Sequence, residues 1–165
     1  MTPSAFKEAV VKETRRRMER DCPVHIPQAC LCWAKTLVQV LRSYHIRGVV
    51  QAGSCSWPRI PMEEDDGIVM THFSYQFELQ PALAKLMRCE FPEMHVWVAI
   101  AEEQEIIDLT TCYLPENCKK LAGIEWTGKL PPDYLWASLD DIPEDVLYVP
   151  NLNAIQISLE LMRGI

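Results

Sequence analysis

The hydrophobic pattern changes period once along the chain, after Tyr44, and that change limits the folds open to it. From about Pro27 to Tyr44 the apolar residues fall at helical spacing and, near the start, almost all round. A helix of that kind is central and buried. From Gly48 on, the period is two. Gly48 to Ser54, Ile68 to Phe77, Met94 to Ala101 and Glu105 to Leu109 read as strands, the last two joined as a hairpin around Glu102-Glu103-Gln104. Helices first and an antiparallel sheet after them predict an α+β domain, its central N-terminal helix packed on the sheet.

The remaining segments follow from local signals. Thr2-Pro3 is a cap followed by a proline at the first helical position, and it predicts a first helix to about Arg20 with Phe6, Ala9, Val10 and Met18 as its apolar stripe. Pro81 to Arg88 and Pro115 to Leu121 read as short helices, Val146 to Val149 as a last strand and Asn151 to Arg163 as a last helix. Cys55 to Gly67, with two prolines and the run Glu63-Glu64-Asp65-Asp66, reads as a loop, and Lys129 to Pro143 as loop-rich. With 165 residues and no repeat or linker, the expectation is one domain, residues 1–165.

Charge and cysteine usage remove several classes. A net charge of −7 argues against a nucleic-acid partner, which needs many cations against phosphates. Lys12, Arg15, Arg16, Arg17 and Arg20 read as the solvated face of the first helix. No apolar run approaches the roughly 20 residues of a membrane span, and the N-terminal stretch has no apolar secretory core, so the expected location is cytoplasmic, with no membrane partner. Seven cysteines without a CxxC pair fit neither a disulfide framework nor a zinc site, so no metal is expected.

Two cysteines open the second helix. At 100° per residue Cys30 shares a face with Ala34, Leu37 and Leu41, whereas Cys32 shares the opposite one with Thr36, Gln39 and Ser43. Only Cys30 points toward the sheet, and it lies in the first turn, where the helix dipole favours a thiolate. His95 and Asp108 sit on the two strands of the hairpin. With an even-length turn they can pair directly and send both side chains to the same face, whereas a three-residue turn would need a bulge to keep them together. Asp108 lies among Ile106, Ile107 and Leu109 and needs a buried partner. An imidazole held by it has its tautomer fixed and keeps a nitrogen for a thiol proton. Nucleophile, base and orienting acid are thereby assigned to Cys30, His95 and Asp108. The other view of these residues is a packed cysteine and a structural His–Asp pair. Trp97, on the face of His95, is a candidate wall of the site.

These residues resemble the transglutaminase-like core within the wider papain-like cysteine-hydrolase fold, over residues 27–112. Counted from Cys30, an Ala follows at position 34 and a Leu-Arg pair closes the helix at Leu41-Arg42. The segment beginning His95-Val-Trp97-Val is similar to that family's His-x-Trp-Val strand, and Asp108-Leu-Thr110 to its Asp-x-Thr segment. The resemblance implies a papain-like fold and a thiol hydrolase or acyltransferase (peptidase, amidase, deamidase or transglutaminase-like) working through an acyl-enzyme. The oxyanion would be held by the Cys30 backbone N–H and the Gln28 side chain. The implied substrate is a peptide, a protein side chain or a small amide, with no cofactor. Two alternatives share the fold: a non-catalytic binding or scaffold protein, and an acyl-CoA-dependent transferase like the arylamine acetyltransferases.

Overall fold

A computed structural model describes residues 2–21, 29–64 and 67–164, with the backbone alone over 60–64 and 67–70. The described residues form an α+β fold. Its helices are α1 (Pro3–Asp21), α2 (Ala29–Ser43), α3 (Leu79–Met87), α4 (Leu114–Ala122) and α5 (Leu152–Arg163). Its strands are β1 (Val49–Glu64), β2 (Gly67–Tyr75), β3 (His95–Ile100), β4 (Glu105–Asp108), β5 (Leu135–Ser138) and β6 (Leu147–Pro150). Every strand pair is antiparallel. Thr2 caps α1 through a bond from the Ala5 N–H, and Asn151 caps α5 by accepting from the Asn153 and Ala154 N–H groups. No described helix is long and apolar enough to cross a membrane.

The sheet is organised around β1. Residues 53–56 of β1 take β6 on one edge, so β3 (against 49–53) and β2 (against 55–64) both occupy the other edge, end to end. Tyr75 at the end of β2 faces Cys55, and His95 at the start of β3 faces Gly53, two residues away. β4 continues the sheet beyond β3, and β5 beyond β4.

Two cores result, one on each face. On one, α1, α2 and α5 bury Val10, Leu37, Val40 and Leu41 against Ala52, Val96, Val98, Ile100 and Ile107. On the other, α4 covers an aromatic cluster that contains Trp57, Phe73, Tyr75, Trp97 and Leu135. The basic cluster of α1 is engaged in surface pairs: Arg16 and Arg17 both bind Glu13, and Arg20 binds Asp21.

Three sequence expectations are corrected. The predicted loop Cys55 to Gly67 is mostly the continuation of β1, paired with β2 to Glu64. Past Ser56, β1 has β2 as its only described partner, and an unpaired edge accommodates Pro58 and Pro61, whose missing N–H groups would break a central ladder. The predicted loop-rich segment Lys129 to Pro143 contains β5, formed because the open edge of β4 is there to receive it. The hairpin turn has an even length but sets Val98 opposite Ile107. Asp108 therefore falls opposite Trp97, and His95 is its diagonal neighbour, not its direct partner. The shared face survives because the register moved by an even step.

Candidate active site

His95 and Asp108 meet. The diagonal neighbours of a ladder lie about 7–8 Å apart at Cα, within reach of long side chains, and His95 Nε2 binds Asp108 Oδ2 at 2.6 Å. The two side chains are 3% and 1% exposed, so the bond is shielded from water. Asp108 accepts three more bonds: the Thr110 N–H and Thr110 hydroxyl donate to Oδ1 at 2.8 and 2.6 Å, and the Tyr148 hydroxyl donates to Oδ2 at 2.7 Å. Four donors saturate the carboxylate and fix its plane. Burial works to neutralise Asp108, but the charge and hydrogen bond of His95 and the Thr110 donors outweigh it and hold the carboxyl below its ordinary range.

Cys30 closes the arrangement from α2. It is 6% exposed, whereas Cys32 is half-buried on the other side of the helix, as the helical spacing predicts. The Cys30 thiol acts on the titration of the imidazole by hydrogen bonding and by charge. With Nε2 held by Asp108, Nδ1 is the nitrogen left for it. Burial pulls the His95 pKa down, but Asp108 and Cys30 together reverse that and raise it to about 10. The site therefore favours the protonated ring. A second thiol nearby, Cys55, is pushed well above its usual range by burial and by the Asp108 charge, which leaves it in the unreactive form. No disulfide links the described cysteines.

Aromatic rings fix the imidazole on both sides. Tyr75 stacks on His95 with centroids 5.2 Å apart and planes at 15°, a direct consequence of β2 ending where β3 begins. Trp97 lies 6.2 Å away at 21° on the other side. Asn117 of α4 donates to the Tyr75 hydroxyl at 3.0 Å, and Trp57 Nε1 donates to the Tyr148 hydroxyl at 3.2 Å. Trp97, expected as a wall of the site, lies beside the imidazole as a buried member of the aromatic core. Gln28, the expected second oxyanion donor, lies outside the described residues, as do the side chains of the acidic run Glu63 to Asp66. Trp136 sits across from Ile107, on the helix-covered face, where its Nε1 donates to Glu105 Oε2. It takes no part in this site.

Tyr75, Tyr148 and Thr110 are absent from the sequence-derived set. Only Thr110 had a local sign, two residues after Asp108 in the segment already compared with an Asp-x-Thr pattern. The tyrosines arrive from β2 and β6, and their placement depends on long-range pairing. Among the described residues no group of three metal-ligating side chains occurs. Comparison with protein families, curated proteins and solved structures gives no match for this chain.

Proposed function

We propose that this protein is a thiol hydrolase or acyltransferase built on a papain-like, transglutaminase-like core. The observation that carries the reading is the buried His95–Asp108 bond, with Cys30, from the first turn of α2, acting on the titration of the same ring. Cys30 attacks an acyl carbonyl as its thiolate, forming a C–S bond and an oxyanion that the Cys30 backbone N–H in the first turn of α2 can receive. The oxyanion collapses, the bond to the leaving amine or alkoxide breaks, and the His95 imidazolium supplies that group with its proton. Neutral His95 then takes a proton from water or an amine as it attacks the thioester, releasing the acyl product and restoring the thiolate–imidazolium pair. Asp108 keeps Nε2 occupied throughout, so Nδ1 is the working nitrogen.

A binding protein with a structural triad is the second reading. It draws on the burial of all three side chains, at 6%, 3% and 1% exposure. Intact mass spectrometry after incubation with p-nitrophenyl acetate separates the two. The catalytic reading expects one acetyl group on Cys30, lost with time in water, and none on a Cys30→Ser variant. An unmodified wild-type protein, or acetylation spread over other cysteines, favours the binding reading.

A further inference from the structure

A recess of about 570 Å³ lies on the far side of Tyr75 from His95; Tyr75 and Met94, both neighbours of His95, line it, and Cys30, His95 and Asp108 do not. Tyr75 and Met94 form its near end, Phe73 and Phe91 line its flank, and Cys118 and Leu121 of α4 close it. Its far end is marked by Arg59. The register shift of β1 between Pro58 and Ile60 leaves Arg59 as the extra residue of a bulge, without a partner on β2. Arg59 is 6% exposed and lines the recess. Its Nη1 donates to the Glu125 carbonyl at 3.1 Å, and among the described residues no carboxylate pairs with it.

A guanidinium at that depth is costly unless something neutralises it. Every fully buried side-chain nitrogen or oxygen among the described residues has a hydrogen-bond partner. Any Arg59 nitrogen without a hydrogen-bond partner is therefore not fully enclosed, and the recess that Arg59 lines is where it can meet a ligand. Lys85 adds a second positive charge to its lining, while Glu93, beside Met94, is turned to the Gln76 N–H. Arg59 puts a positive charge at the end away from the triad, and most of the remaining wall is apolar.

We infer that this recess is the substrate subsite of the proposed thiol enzyme, and that it takes an acid: an apolar chain whose carboxylate pairs with Arg59. The inference rests on the reading given above for Cys30. A carboxylate matches the fork of a guanidinium in two parallel bonds. Arg59 lies four positions along β1 from Cys55, the residue opposite Tyr75, which is about 13 Å of strand. An extended chain about four peptide units long would therefore reach from Arg59 to the Tyr75 ring that stacks on the imidazole.

Titration calorimetry on the wild-type protein with 6-phenylhexanoate and with its uncharged amide tests the site without any variant. The acid should bind about ten-fold more tightly than the amide, and equal affinities would overturn the assignment. In a folded Arg59→Met protein the preference should vanish, and in Lys85→Ala it should fall about two- to three-fold. A preference that survives in Arg59→Met removes Arg59 from the site. Occupancy by the acid should also slow acetylation of Cys30 by p-nitrophenyl acetate. Acid binding that leaves acetylation unslowed would disprove the role as a substrate subsite. Acid binding to a protein that p-nitrophenyl acetate never acetylates would instead refute the thiol chemistry and leave an acid-binding recess.

Discussion

On β3, Val96, Val98 and Ile100 point toward α1, α2 and α5, while His95 and Trp97, in alternate positions on the same strand, point to the aromatic side. β4 repeats the division, with Ile107 on the first face and Ile106 and Asp108 on the second. The face under α1, α2 and α5 is mostly aliphatic and closes mainly by area and packing, so most of its members are exchangeable in kind. The other face uses rings and directed hydrogen bonds, each of which specifies a partner: Tyr148 to Asp108, Asp108 to His95, Tyr75 onto His95. One face anchors α2, and the other orients the imidazole that its first turn meets. Apolar packing and directed hydrogen bonding are divided between two sides of one strand, one residue apart.

Adjacent residues on β4 give the sharpest way to break that division. Asp108→Ala should cost about 3–5 kcal/mol, because it strips a buried partner from His95, and should also lower acetylation of Cys30 by at least about 100-fold. Ile107→Ala should cost a comparable 2–5 kcal/mol as a cavity but leave the acetylation rate of the folded protein unchanged. Denaturant melts and acetylation rates on both variants check the pair, and parallel losses of rate would erase the distinction between faces.

Gly53→Ala sharpens the comparison where the strands cross. Gly53 faces His95 and also passes β6, so an added Cβ would come within 2.1 Å of the Val149 carbonyl oxygen. Backbone cannot yield as a flexible side chain can, and a loss of about 1–3 kcal/mol or more is expected in a denaturant melt. Tyr148→Phe removes one of four donors to Asp108. The remaining three hold the carboxylate, so the stability loss should be about 0.5–1.5 kcal/mol, with the His95 pKa rising further as Asp108 becomes more basic.

The pH dependence follows from the same pair. The His95 pKa is raised from 6.5 to about 10 in the fold, so its contribution is complete below 6.5 and is lost as pH rises toward about 10. Asp108 is shifted down, so its contribution is present above the ordinary carboxylate range and is lost in acid. Wild-type stability should fall between pH 6.5 and 10, and the fall should be shallower in Asp108→Asn, where His95 loses its charged partner. Thermal melts across that range check the slope.

Much of this was legible in the sequence because it depends on short-range pattern. The helical stripe from Cys30 to Leu41 gave α2 and the inward side of Cys30. Alternation in the hairpin put His95 and Asp108 on one face, although a four-residue turn, Ala101 to Gln104, made them diagonal rather than direct neighbours. What escaped depends on pairing across long stretches of chain. Pro58, Pro61 and the acidic run imitate a loop in the sequence, and the presence of β2 alongside keeps residues 58–64 extended. Trp136 belongs to a four-residue strand, too short for alternation to show. Tyr75 and Tyr148 reach the imidazole because β2 stops where β3 starts and because β6 crosses β1 at Gly53, and no spacing in the sequence encodes either event.

The central claim is that the His95–Asp108 pair governs the reactivity of one sulfur, Cys30. Timed alkylation with iodoacetamide at neutral pH, read cysteine by cysteine by peptide mass spectrometry, measures it most directly. Cys30 should be modified well ahead of Cys32, and His95→Ala should slow Cys30 by about 100-fold or more while leaving Cys32 unchanged. Equal rates at the two cysteines, or a Cys30 rate indifferent to His95, would contradict it.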